Sequence, residues 1–247
     1  HEYLLMVEKA YSYHLSNCPI VETTIDIYCT FQIPNDAVIG VIYNLLQNTE
    51  IKVLKLEKLP IGNIPEEIRK SDPNLRNKPT HQIICNEGVI LIGANSLSFG
   101  ILPPYKSWEV SQAFIRKVLT FVKSAPIIKG ISHVSLKYLN FFKLNIFEKI
   151  NLTIDFKNSK ITYPSTIFRT EIPAKGKDCI NVLQITNGVH IKNQALKLDD
   201  DGSLVDITIV SKNVSLVNIE AVIEDTHSEA KVLFFDLLNT DFIKTLI

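Results

Sequence analysis

His133, Ser135 and Lys137 stand at every second position of one stretch, so on an extended chain they share a face. An imidazole, a hydroxyl and an ammonium in a row supply donors for a phosphate or carboxylate, and Asn140, at the end of the same stretch, would add two more. Glu22 and Asp26, four residues apart, share one face of an earlier extended stretch. If the two stretches are neighbours, the carboxylates pair with Lys137 or His133, as opposite charges do across a sheet. The alternative is a general acid and base pair, which needs a cleft that fixes their separation. The plainer reading of the row is the solvated face of a half-buried sheet.

Tyr105 and Trp108, beside Pro103 and Pro104, suit either a stacking platform for a base or a proline-rich partner, or a rigid junction ahead of a helix with Trp108 covering a core edge. Asp199-Asp200-Asp201-Gly202 lacks the alternating oxygens and closing glutamate of a calcium loop, and between two strands it predicts a hairpin turn. The six histidines form no HxH or HExxH element. Cys18, Cys29, Cys85 and Cys179 lie too far apart for a zinc knuckle or a redox CxxC and read as buried free thiols. His227 reads as a helix-core histidine donating to a backbone carbonyl. No GxSxG, Walker-type or GxGxxG phrase occurs, so no catalytic residue, metal ligand or cofactor is assigned.

The elements that position these groups follow from periodicity. From Val21 to Ile33 apolar and polar residues alternate, which predicts a long strand of an antiparallel sheet covered on one side. Pro34 ends it, and Asn35-Asp36 would cap a helix through Leu46. Four prolines make 52–80 a candidate flexible loop with one short helix near 65–70. A three-strand meander over 82–102 follows, then a helix capped by Ser107 with a stripe of Val110, Phe114, Val118 and Phe121, then a strand over 131–142. In the second part strands are expected at 166–172, 179–186, 189–198 and 204–211, a helix over about 218–238 and a helical turn after Thr240. The fold class is therefore α+β, with mainly antiparallel strands and helices on one face. It divides into a first half, 1–145, and a similar second half, 146–247, within one compact unit.

Three phrases stand in a fixed order, CPIVETTIDIYCTF, SLSFGILPPYKSWE and ISHVSLKYLNFF, followed by His227 and FFDLLNT near the end. Through Pro19, Ile20, Val21 and Glu22, through Pro104, Tyr105, Ser107 and Trp108, through the 133–141 strand and through 234–240, the chain resembles a sporadically distributed prokaryotic family of similar length. That family's strand carries arginines where this chain has His133, Lys137 and Phe141, so a basic row is weakened here. Its patchy distribution implies an accessory or regulatory protein of exchanged defence or mobile-element genes, working with a protein partner or as a homo-oligomer.

The 26 Lys and Arg balance the 26 Asp and Glu of the 247 residues, so no global field recruits a polyanion, and nucleic acid is expected only through a partner or a local patch. With no signal peptide, no apolar run of membrane-spanning length and no cysteine framework, a cytoplasmic protein without a membrane partner is expected. Met6 reads as a natural start, leaving His1 to Leu5 as an added or upstream stretch.

Overall fold

A computed structural model describes residues 15–161, 165–174 and 178–247, so the reading of Met6 lies outside the described residues. The elements run β1 (Ile20–Phe31), α1 (Asn35–Gln47), β2 (Val53–Lys58), α2 (Glu66–Ser71), β3 (Pro79–Cys85), β4 (Val89–Gly93), β5 (Ser96–Ile101), α3 (Trp108–Ser124) and β6 (Ile128–Phe142). There follow β7 (Asp155–Phe156), β8 (Ser159–Lys160), β9 (Thr166–Pro173), β10 (Cys179–Asn193), β11 (Leu198–Ser211), α4 (Ile219–Leu237) and α5 (Thr240–Leu246).

Nine strands form one antiparallel sheet in the order β2-β3-β4-β5-β1-β6-β11-β10-β9, and the fold is α+β. The order is mirrored about the β1–β6 pair, each central strand being flanked by the strand that ends its own run. On one side of the sheet Ile25, Ile27, Leu136, Ile185, Ile207 and Ile209 are buried, joined by Ile42 and Leu46 of α1, Ile115 and Val118 of α3, and Ile223 and Ala230 of α4. The alternation of β1 is thus used as period two requires, its odd residues forming core.

Several expectations are corrected. Residues 52–80 are not a loop: β2 is an edge strand hydrogen-bonded to β3, and a single 3-10 turn, Pro60–Asn63, separates it from α2. Its residues are largely exposed, so no alternation marked it. Helix α1 starts at Asn35 behind Pro34 with no side-chain cap, whereas Ser107 Oγ does accept from Val110 N, at 3.3 Å. The buried stripe of α3 is Trp108, Ser111, Ile115, Val118 and Val122 with Phe114 and Leu119, while Val110 faces solvent.

The two strands expected at 179–186 and 189–198 are one, β10, with a register shift at Gly188, whose φ is 72°. Asp199 to Gly202 lie inside β11, and the hairpin turns at 194–197, where Lys197 takes the left-handed conformation. Gly202 is needed for close approach instead of a turn: a Cβ there would lie 2.0 Å from Phe142 O of β6. All four cysteines are free, but only Cys29 and Cys85 are buried, Cys179 being half-buried and Cys18 exposed.

Candidate functional site

The face of the sheet opposite the helices gathers the predicted row. The β1–β6 register sets Thr24 opposite Lys137, Asp26 opposite Ser135 and Tyr28 opposite His133. Lys137 Nζ lies 2.8 Å from Glu22 Oε1, and Ser135 Oγ lies 3.5 Å from Asp26 Oδ2. Tyr28 stacks on His133 with ring centroids 4.2 Å apart. Burial pulls the Lys137 ammonium down, but the bond to Glu22 and the charges of Asp206 and Asp26 outweigh it, and the ammonium is held above its ordinary value. Desolvation, with Lys212 nearby and against the pull of Asp26, lowers His133 below the ordinary imidazole value and so favours its neutral form. The one cation of the row is spent on Glu22. The shallow depression beside it, of about 300 Å³ among Tyr28, His133, Arg169, Gln184 and Asp206, offers an incoming anion a carboxylate as well as a guanidinium.

Asn140 does not belong to this row. It is an even residue of β6, buried on the helix side, where Nδ2 donates to Val205 O at 3.2 Å. Its position near the strand end suggested a donor to the polar face, but strand parity turns it to the other side.

On that other side lies a cavity of about 650 Å³. Its floor is Tyr138 and Asn140 of β6 with Ile207 of β11, and one wall is Cys18, Pro19 and Ile20, leading into β1. A second wall is Pro104 to Glu109, where the chain turns from β5 into α3. The third is α4, which presents His227, Ala230, Lys231, Phe234 and Phe235. Steps of three and four residues keep these five on one face of a helix.

The side chains at the centre hold one another. The indole of Trp108 lies flat on the His227 ring, centroids 4.1 Å apart and planes 7° from parallel. Its Nε1 donates to Glu224 Oε2 at 2.8 Å, and Gln112 Nε2 donates to the same carboxylate. The Tyr138 hydroxyl lies 2.9 Å from His227 Nδ1, and the Tyr105 ring meets Tyr138 edge-on at 5.9 Å. Burial, helped by the Lys231 charge and opposed by Glu109, pulls the His227 imidazole down to about 4. Burial pushes the Tyr105 phenol up to about 12 and holds Tyr138 well above its ordinary value. Every one of these groups is therefore neutral near pH 7.

His227 was expected to donate to a backbone carbonyl; its partner is a phenol on the sheet floor, and its second contact is the Trp108 face. Tyr105 and Trp108 are brought together in the cavity wall, with Trp108 buried instead of forming an outward platform. Tyr138, Glu224, Phe234 and Phe235 were not singled out as site residues, although the spacing of 227, 230, 231, 234 and 235 carried the signal for α4.

Among the described residues no three His, Cys, Asp or Glu side chains gather as metal ligands, and no helix is long and apolar enough to cross a membrane. No protein-family model matches the chain, and no curated protein matches it in sequence. Pro19 with Ile20, Pro104 to Trp108, Tyr138 with Asn140, and His227 with Phe234 and Phe235 come from four separate phrases, and all line this one cavity.

Proposed function

We propose that this chain is a non-enzymatic binding protein whose working site is the helix-side cavity, and that its ligand is a small, neutral, planar aromatic or heteroaromatic molecule. The observation that carries the reading is the Trp108–His227–Tyr138 cluster, an aromatic constellation fixed by hydrogen bonds at the wall of a ligand-sized space. The indole, imidazole and phenol at the centre of the cavity favour a ring that stacks over a charged group that must be desolvated, while Lys106, Glu109 and Lys231 supply the charged part of its lining. Acid–base catalysis needs a group that titrates near the working pH, and His227 near 4 and Tyr105 near 12 lie on either side of it.

The cavity wall joins α3, which precedes β6, to α4, which follows β11. A ligand wedged between them alters their spacing, a change that a partner protein can read. This fits the accessory or regulatory role that the family resemblance implies.

Trp108 is the sole tryptophan, so its emission reports occupancy directly. Titration with nucleobases, nucleosides and indoles should give a saturable change in Trp108 fluorescence. Lys231→Phe, which places a ring at the cavity wall, should abolish that change while the chain stays folded. If none of these compounds shifts the emission, or if Lys231→Phe leaves binding intact, the cavity is not the site.

A further inference from the structure

We infer that β9 is a self-complementary edge on which a second copy of this chain pairs, antiparallel, about a two-fold axis at Thr170. The inference is independent of the cavity. Among the described residues no strand pairs with the outer side of β9, which ends the sheet. The strand is regular, its eight residues matching β10 from Thr166 opposite Asn187 to Pro173 opposite Ile180 without a shift. Ile167 is 75% exposed and Ile172 38%. The opposite edge is guarded in the usual manner: β2 carries Lys55, Glu57 and Lys58 and a register irregularity between Val53 and Lys55. Strand β9 also carries charges, Arg169 and Glu171, and ends on Pro173, but unlike β2 it has no register shift and it exposes Ile167, a side chain that pairing would cover.

The order of side chains along β9 selects the occupant and the register. In an antiparallel pair of identical strands centred on Thr170, Arg169 stands opposite Glu171 of the partner subunit, twice over by symmetry. Phe168 then faces Ile172 of the partner subunit, and Ile167 faces Pro173 of the partner subunit, so every apolar residue meets an apolar one. Facing residues have the same parity, so their side chains lie on the same side of the joined sheet. Moving the centre by one residue sets Arg169 against Arg169 of the partner subunit, or Glu171 against Glu171 of the partner subunit. Moving it by two sets Arg169 against Ile167, or Glu171 against Pro173. Only the Thr170 register satisfies charge and apolar pairing together. Within one chain Arg169 Nη2 and Glu171 Oε1 already lie 3.5 Å apart on one face, so the two charges need only exchange partners across the axis.

Sedimentation velocity on the full chain over a range of concentrations should show a reversible dimer. Arg169→Glu sets like charges opposite each other at two symmetric places and should weaken association roughly tenfold or more. Adding Glu171→Arg restores opposite charges and should bring it back to within about threefold of the original. Thr170→Cys should be captured as a covalent dimer by a short bis-maleimide, above the level given by the native cysteines. Ile167→Cys should not, because the two copies of residue 167 lie about 20 Å apart along the strands. A chain that stays monomeric, a dimer indifferent to Arg169→Glu, a double variant as weak as the single one, or capture through residue 167 as strong as through 170 would each overturn the inference.

Discussion

Replacing His227 by Phe should remove one component of the protein's acid sensitivity, and its size follows from the cavity. In the folded chain the imidazole is held down to about 4, while in the unfolded chain it titrates near 6.5. Between these values the unfolded chain binds a proton at residue 227 that the folded chain refuses, so stability falls as pH falls. The contribution of the neutral imidazole is whole above pH 6.5 and is lost on the way down to pH 4. At about 1.4 kcal/mol per pH unit the loss is about 3 kcal/mol at most, incomplete burial making this an upper bound. The groups that face the ring are Trp108, the Tyr138 hydroxyl, Lys231 and Glu109, with Glu224 behind the indole. Phe keeps a flat ring against Trp108 but leaves the Tyr138 hydroxyl without its nitrogen, which costs roughly 1–3 kcal/mol at neutral pH. Urea unfolding followed by circular dichroism at pH 7, 6, 5 and 4 gives the stability difference between the two proteins, in which carboxylate titrations common to both cancel. The deficit of the variant should shrink steadily as pH falls, closing by about pH 4 if it starts at about 3 kcal/mol and reversing in sign before pH 4 if it starts at about 1 kcal/mol. A deficit that stays constant from pH 7 to 4 would show that His227 is not held neutral and would remove the electrostatic argument for a neutral ligand.

Three further substitutions test the frame. Ile27 is 0% exposed on the helix side, so Ile27→Asp should cost about 4 kcal/mol or more and abolish the folded state, whereas Tyr28→Asp on the opposite face should shift stability by about 1 kcal/mol. Chemical denaturation separates them, and equal damage would mean that both faces of the sheet are covered. Gly202→Ala would gain from a stiffer unfolded chain at an unconstrained site, but here the added Cβ meets Phe142 O at 2.0 Å, so a loss of roughly 3 kcal/mol is expected. A melting temperature equal to or above that of the parent would contradict the close β6–β11 approach.

The parts of the fold that were legible are those whose residues answer to one local rule. Strand β1 is buried on one side only, so its period-two pattern survives in the sequence, and Ser107 marks the start of α3 by its own hydroxyl. Strand β2 was not legible because, at an edge, neither face is forced to be apolar. The hairpin between β10 and β11 misled in a different way. Asp-Gly is strong local turn chemistry, yet Gly202 is there because β6 approaches within reach of a Cβ, and that constraint comes from a residue 60 positions earlier. The cavity shows the same limit. Tyr105 and Trp108 stood out by type, but what fixes them, Tyr138, Glu224 and His227, comes from β6 and α4, and no spacing rule joins these three segments.

The location of the cavity follows from an asymmetry between the two ends of the central strand pair. Because β1 and β6 run antiparallel, the end of β1 lies beside the start of β6, where Gln32 N donates to Ile127 O. There the 13-residue α1 closes the helix layer with Val38, Ile39, Ile42 and Leu46. At the other end the described residues of the corresponding connection after β6 form a 3-10 turn, Ile146–Glu148, and the β7–β8 pair. Cover comes instead from the seven-residue α5, with Phe242 against Phe142, and from the segment entering β1, where Asn17 N donates to Leu246 O. A helix of about half the length covers less sheet, and Tyr138 and Asn140 are the floor left open. On the side with the longer helix the mirrored strand order is filled by core; on the side with the shorter one it leaves a chamber in which Trp108, Tyr138 and His227, from three segments, hold one another.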